Sequence, residues 1–132
     1  MYAQIEPIGG YSVATALSSS SASLNVSLSR PAQGAIVVHV AGEVDAATAP
    51  DLAAALGPIW SSRPARVVLD LSGVSFLGTA GLSELLFAAE RAELEQVTLR
   101  LVGPHCVRRA LRAAGLTDRL PLSADLGEAL ER

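Results

Sequence analysis

The run Arg66 to Leu71, R-V-V-L-D-L, restricts the fold more than any other segment. It is short, nearly continuous in apolar residues and preceded by Pro64. A strand that is apolar on both sides belongs in the middle of a sheet with both faces covered, and such strands are found in parallel sheets. The rest of the chain must then supply its neighbours and the helices that cross between them. Leu24, Val26 and Leu28 alternate with polar residues, a strand period closed by Arg30-Pro31 and Gly34. Ala35 to Ala41 is a second strand ending at Gly42, and the Pro-Ala-Gln-Gly between the two predicts a hairpin.

Helices follow from caps and period. Asp45 and Thr48 offer N-caps, and Pro50 suits the first turn of a helix over Asp51 to Trp60. Ser72 to Gly78 reads as a loop. From Ala80 to Glu95 the spacing of Leu82, Leu85, Leu86 and Ala89 predicts an amphipathic helix with those four residues turned to the sheet. Ser83, Phe87, Glu90 and Leu94 then face the other way, and Phe87 is either exposed or tucked under the helix that begins near Pro104. Val97 to Val102 is a strand, and Gly103-Pro104 opens a helix through Ala114 that Gly115 stops. Ser123 caps a last helix over Ala124 to Leu130. The order β-β-α-β-α-β-α-(β)-α predicts an α/β fold, a mixed sheet with an antiparallel edge strand, covered by helices. Residues 1–23, with Gly9-Gly10 and the Ser18 to Ser21 run, read as a tail or linker, and residues 24–132 as one domain.

Composition removes several classes of function. Ten basic and thirteen acidic residues give a net charge of -3, without the basic footprint of a nucleic-acid binder. All ten basic residues are arginine, so Schiff-base chemistry and the phosphate-cradling lysine of a P-loop are excluded. The single Cys106 forms no internal disulfide, and its expected role is an inert, partly buried thiol. His39 and His105 lack the spacing of paired metal ligands, and His39 reads as an outward-facing strand residue. No apolar run approaches the roughly 20 residues of a spanning helix, so a cytoplasmic location is expected, with no membrane partner and no cofactor.

The chemistry-bearing candidates cluster around two strand ends. Glu43 and Asp45 flank the end of the second strand and Asp70 is read as ending the third, which would bring all three to the carboxyl edge of the sheet. Asp45 is also read as a helix cap, and Asp70 as a strand-end carboxylate bonded to loop amides. In D-L-S-G-V-S-F-L-G-T-A-G-L-S-E-L-L, Asp70 to Leu86, the hydroxyl of Thr79 is expected at an N-cap, where a phosphate would meet free amides and the positive helix end. Small residues at Gly78, Ala80 and Gly81 would leave that hydroxyl uncovered.

The stretch G-E-V-D-A-A-T-A-P-D-L, Gly42 to Leu52, together with D-L-S-G-V-S-F-L-G-T-A-G-L, Asp70 to Leu82, resembles the STAS domain of bacterial anti-sigma factor antagonists. The resemblance covers about Leu24 to Arg132. It implies a domain that binds an anti-sigma factor with serine kinase activity, releases the sigma factor, and is silenced by phosphorylation of the residue corresponding to Thr79. The aspartate usual before the acceptor is Gly78 here, and threonine replaces the commoner serine. On this reading the partner surface comprises Glu43, Asp45, Gly78, Ala80, Gly81, Ser83 and Phe87 beside Thr79, and a second copy of the chain is a further candidate partner. Two other readings remain at this stage. One is a sensing module taking a nucleotide or small anion at the same helix N-terminus, and the other a small hydrolase using Asp70 and Glu43.

Overall fold

The computed structural model describes residues 11–13 and 24–131. A six-stranded sheet runs through it, and its strands lie side by side in chain order. Strands β1 (Tyr11–Val13), β2 (Leu24–Ala32) and β3 (Ala35–Val44) pair antiparallel. From β3 onward, β4 (Arg66–Leu77), β5 (Thr98–Val102) and β6 (Leu122–Ser123) pair parallel. Between β2 and β3, Gly34 holds φ at 81°, a left-handed turn conformation that glycine adopts without steric cost.

Parallel neighbours require crossovers, and helices α1 (Ala49–Leu56), α2 (Thr79–Glu95) and α3 (His105–Ala113) supply them. Crossovers of one hand that all step in one direction deposit their helices on one face. The main core accordingly joins Leu52 and Leu56 of α1, Leu85 of α2 and Val107 and Leu111 of α3 to one side of the sheet, through Ile36, Val38, Val67 and Leu69. The opposite side has a smaller cluster, Val37, Val68 and Val102, under Ala129 of the short helix α4 (Leu126–Glu131). The central strand is thus buried on both sides as its sequence demands, with very unequal covers.

Several sequence expectations are corrected. Ser72 to Gly78 is not a loop, because β4 continues to Leu77, and β3 likewise continues to Val44. Their ladder slips register twice, between His39 and Ala41 and between Gly42 and Glu43, so β4 spends two extra residues along the same length. Gly73 marks a close approach of the two strands: a Cβ there would stand 2.8 Å from Ala41 Cβ. The first helix ends at Leu56 and tightens into a 3-10 turn, Gly57–Ser62, closed by Arg63 at φ 52°.

On α2 the core stripe is Gly81, Leu85, Ala88, Ala89 and Ala92. Leu82 packs against the core from a half-buried position, while Leu86, expected to face the sheet, is half-exposed outside it. Small residues let the helix approach the sheet closely, so they, rather than every leucine of the period, define its contact line. Asp125 rather than Ser123 caps α4, accepting the Glu128 amide at 2.9 Å, while the Glu128 carboxylate accepts from the Ala124 amide. Within the segment read as a tail, Tyr11–Val13 joins the sheet beside β2. The Ser18 to Ser21 run lies outside the described residues.

Candidate functional site

Because β3 and β4 are parallel, their carboxyl ends reach the same edge of the sheet, where open α/β sheets bind ligands. Val44 pairs with Leu77, Glu43 with Phe76, and the Gly78 amide donates to the Val44 carbonyl at 2.9 Å. The chain leaves β3 through a turn locked from inside. Asp45 Oδ1 accepts the amides of Ala47 and Thr48, each at 3.0 Å. The buried Thr48 hydroxyl donates to the Glu43 carbonyl at 2.8 Å and accepts the Asp45 amide at 3.0 Å. Asp45, expected as a helix cap, instead closes the turn ahead of α1; Thr48 holds the N-cap position, but its side chain caps nothing there and staples the turn to the strand. The Glu43 side chain stands exposed beside them.

Helix α2 begins at this same edge. Its N-cap is Gly78, in an extended conformation at φ -94° and ψ -174°, and no side chain caps the helix. Thr79 was expected at the cap and is instead the first helical residue, with its side chain exposed. The first intrahelical bond, Leu82 N–H to the Gly78 carbonyl at 3.0 Å, fixes that phase. The first-turn amides are left without a side-chain acceptor, and the positive end of the helix dipole is open at Thr79.

Gly81 plays a different part from the one anticipated. It is buried, and a Cβ there would lie 2.6 Å from Leu77 Cδ1 and 2.7 Å from Val44 Cγ1. It seats the helix on the strand ends rather than clearing space around the hydroxyl. Ala80 is half-buried, while Ser83 and Phe87 are exposed, Phe87 at 59% rather than under α3. The edge also carries Phe76, 52% exposed, whose ring lies against Gly78: a Cβ on that glycine would be 3.0 Å from Phe76 Cε2. Phe76 was missed because its segment read as a loop. Val74 is buried and Phe76 exposed, so the slipped strand offered no strict alternation to mark it.

Asp70 does not join this edge. It lies within β4, opposite His39, so the pairing with Glu43 that a hydrolase would need is absent. Its Oδ2 accepts from His39 Nδ1 at 2.9 Å, and its Oδ1 accepts from the Ser72 hydroxyl at 2.6 Å and the Ser72 amide at 3.1 Å. Burial pushes the Asp70 carboxyl up, but the Ser72 and His39 hydrogen bonds outweigh it and hold the group below its ordinary value. With Nδ1 donating, Nε2 of a neutral imidazole accepts the Ser29 hydroxyl at 3.0 Å. His39, read from sequence as simply outward-facing, is the middle of a chain tying β2, β3 and β4 together. Cys106 is half-buried with Sγ 3.5 Å from the Val74 carbonyl, in keeping with a packed thiol.

Among the described residues no helix is long and apolar enough to cross a membrane. The STAS domain family matches this chain over residues 29–129. The chain is similar to the anti-sigma-F factor antagonist RsfB of Mycobacterium tuberculosis, 35% identical over 98 residues, 74% of this chain and 80% of RsfB. A crystal structure of an anti-sigma factor antagonist from Mycobacterium paratuberculosis superposes with a TM-score of 0.75 at 35% identity, covering 82% of this chain and 92% of that one. The phosphorylated form of the Bacillus cell fate determinant SpoIIAA shares the fold, with a TM-score of 0.63 at 18% identity over 81% of this chain and 97% of its own.

Proposed function

The chain belongs to the STAS domain family, and from that membership we propose that it is an anti-sigma factor antagonist, a non-enzymatic cytoplasmic module that captures an anti-sigma factor and so frees a sigma factor. The observation that carries the reading is the shared edge of β3, β4 and α2, where the strand ends, the locked Asp45 turn and the start of α2 leave Glu43 and Thr79 exposed. Phe76, Ser83 and Phe87 extend that edge with the apolar area a docking surface needs.

In this reading the partner is also the kinase, and Thr79 is its acceptor. A phosphate on Thr79 would sit at the open positive end of α2, so the fold tolerates it. The same group adds a charge of about -1.5 to -2 next to Glu43 and Asp45, which a packed interface cannot desolvate. Phosphorylation therefore releases the partner without unfolding the antagonist. Gly78 in place of the family aspartate removes one carboxylate from this edge and leaves the acceptor sterically open.

The test is to mix the chain with its cognate anti-sigma factor and ATP and locate the phosphate by mass spectrometry. One phosphate on Thr79, abolished in Thr79→Ala, is expected, and Thr79→Glu should lose binding while keeping its melting temperature. Phosphate at another residue, or full binding by Thr79→Glu, overturns the switch.

A further inference from the structure

Helix α2 exposes a second large apolar residue beyond Phe87. Leu94 is 80% exposed and lies about two turns further along the same side of the helix. Between these residues and the α1 segment runs an open groove of about 330 Å³, floored by Ala53, Leu56, Trp60 and Ala88. Its charged lining is unbalanced. Arg91 is held by Glu95 at 3.0 Å and lies 6.0 Å from the Trp60 ring centre, whereas Glu84 and Glu90 have no ion-pair partner among the described residues.

We propose that this groove is a docking site for a basic amphipathic helix, centred on Trp60 and Leu94 and meeting the Thr79 edge at Phe87. Two packed helices with an apolar furrow between them receive a third helix by its ridge of i, i+3, i+4 and i+7 side chains. Those side chains enter between Phe87 and Leu94 and cover the floor over Trp60. Arginine or lysine on the flank meets Glu84 and Glu90, and an acidic helix is repelled by the same pair. Leu94 stands fifteen residues along α2 from Thr79, roughly 22 Å at the helical rise. That distance exceeds the Debye length of about 8 Å at physiological salt, so a charge on Thr79 is screened before it reaches the far end of the groove. The Leu94 end is thus the part of the groove least affected by the state of Thr79, whereas Glu84, five residues from Thr79 or roughly 7.5 Å along the helix, lies within that length.

Trp60 is the only tryptophan of the chain and part of the groove floor, so its emission reports occupancy directly. The full chain is titrated with two synthetic 18-residue helical peptides that share one leucine stripe, one flanked by arginines and the other by glutamates. Backbone amide shifts map the contact. A saturable change in Trp60 emission with the arginine peptide is expected, at least about tenfold weaker with the glutamate peptide and with Leu94→Asp, a change at an exposed site that spares the core. Glu84→Gln with Glu90→Gln should weaken binding about threefold to tenfold, and Thr79→Glu, which adds a negative charge at the near end, should not weaken it. Equal binding of both peptides, full binding by Leu94→Asp, shifts confined to the Thr79 edge, or no saturation at millimolar peptide overturns the proposal. So does a dimer in sedimentation that Leu94→Asp dissolves, which would give the groove to a second copy of the chain. Thr79→Glu that still binds the anti-sigma factor would sink the phosphorylation switch alone.

Discussion

The two halves of β4 belong to one strand and do different work. From Arg66 to Asp70 it is flanked by β3 and β5 in unbroken parallel register, and Val67, Val68 and Leu69 are almost wholly removed from solvent. From Leu71 to Leu77 only β3 pairs with it, the ladder slips twice, and Phe76 turns out to the solvent. The inner half is pinned by neighbours on four sides. The outer half keeps one paired neighbour and one apolar row, Leu71, Val74 and Leu77, and its other residues are exposed. Irregular pairing at the end of a regular strand is how this fold carries a rigid core to the edge proposed for docking without a long loop.

The sharpest way to test that contrast is to truncate one side chain in each half. Leu69→Ala removes a residue 1% exposed and should cost about 2–5 kcal/mol, read as a fall in the urea midpoint. Phe76→Ala, at 52% exposure, should stay within about 0.5 kcal/mol of wild type and weaken anti-sigma factor binding instead. Comparable destabilisation by both would mean that the outer half is core as well.

Gly73→Ala probes the boundary between the halves. The new methyl meets Ala41 Cβ at 2.8 Å and Ala41 Cα at 3.2 Å, and overpacking of this kind costs about 1–3 kcal/mol. A neutral result in thermal unfolding would show that the slipped ladder can spread at no cost.

The third change acts through pH. Asp70 has a lowered carboxyl pKa in the folded chain, so its ionised form favours folding. That contribution is complete above the unfolded carboxylate value of about 3.9 and is lost as pH falls through the lower folded value. Asp70→Asn should therefore be less stable than wild type at pH 7, and the gap should narrow in urea titrations between pH 4 and pH 2. A constant gap across that range would separate the carboxylate charge from the role of the residue. The smallest effect belongs to Gly78→Asp. It supplies the acceptor that the first turn of α2 lacks, and Phe76, half-exposed, can yield the few tenths of an ångström required. A gain of a few tenths of a kcal/mol is expected in thermal unfolding, and a loss would mean that the ring cannot move.

What could be read from the sequence divides along the same line. The inner half of β4, the hairpin before it and the alternation of strands with helices are all legible, because burial on fixed faces imposes a period on the residues. Helical spacing turned Ser83 and Phe87 away from the sheet, but it left open whether Phe87 is exposed or lies under α3, which the structure settles at 59% exposure. The outer half was misread as a loop, since Ser72, Gly73 and Ser75 carry turn composition and a slipped ladder destroys strict alternation. The same error displaced Asp70 to the strand end and hid its bond to His39, a contact between residues 31 apart that no local pattern encodes. The cap at Gly78 was misplaced because a threonine hydroxyl looks like a cap wherever it precedes a helix. Helix phase is set by which carbonyl accepts first, and that depends on how Gly81 seats the helix against Val44 and Leu77.

A sheet whose strands lie in chain order also has a history built into it. Each strand from β2 to β6 joins beside the one made just before it. A chain leaving the ribosome can therefore lay the sheet down from one side to the other, each βα unit docking on an edge that already exists. Every addition is made at an open margin, and no strand has to be threaded between two that are already paired.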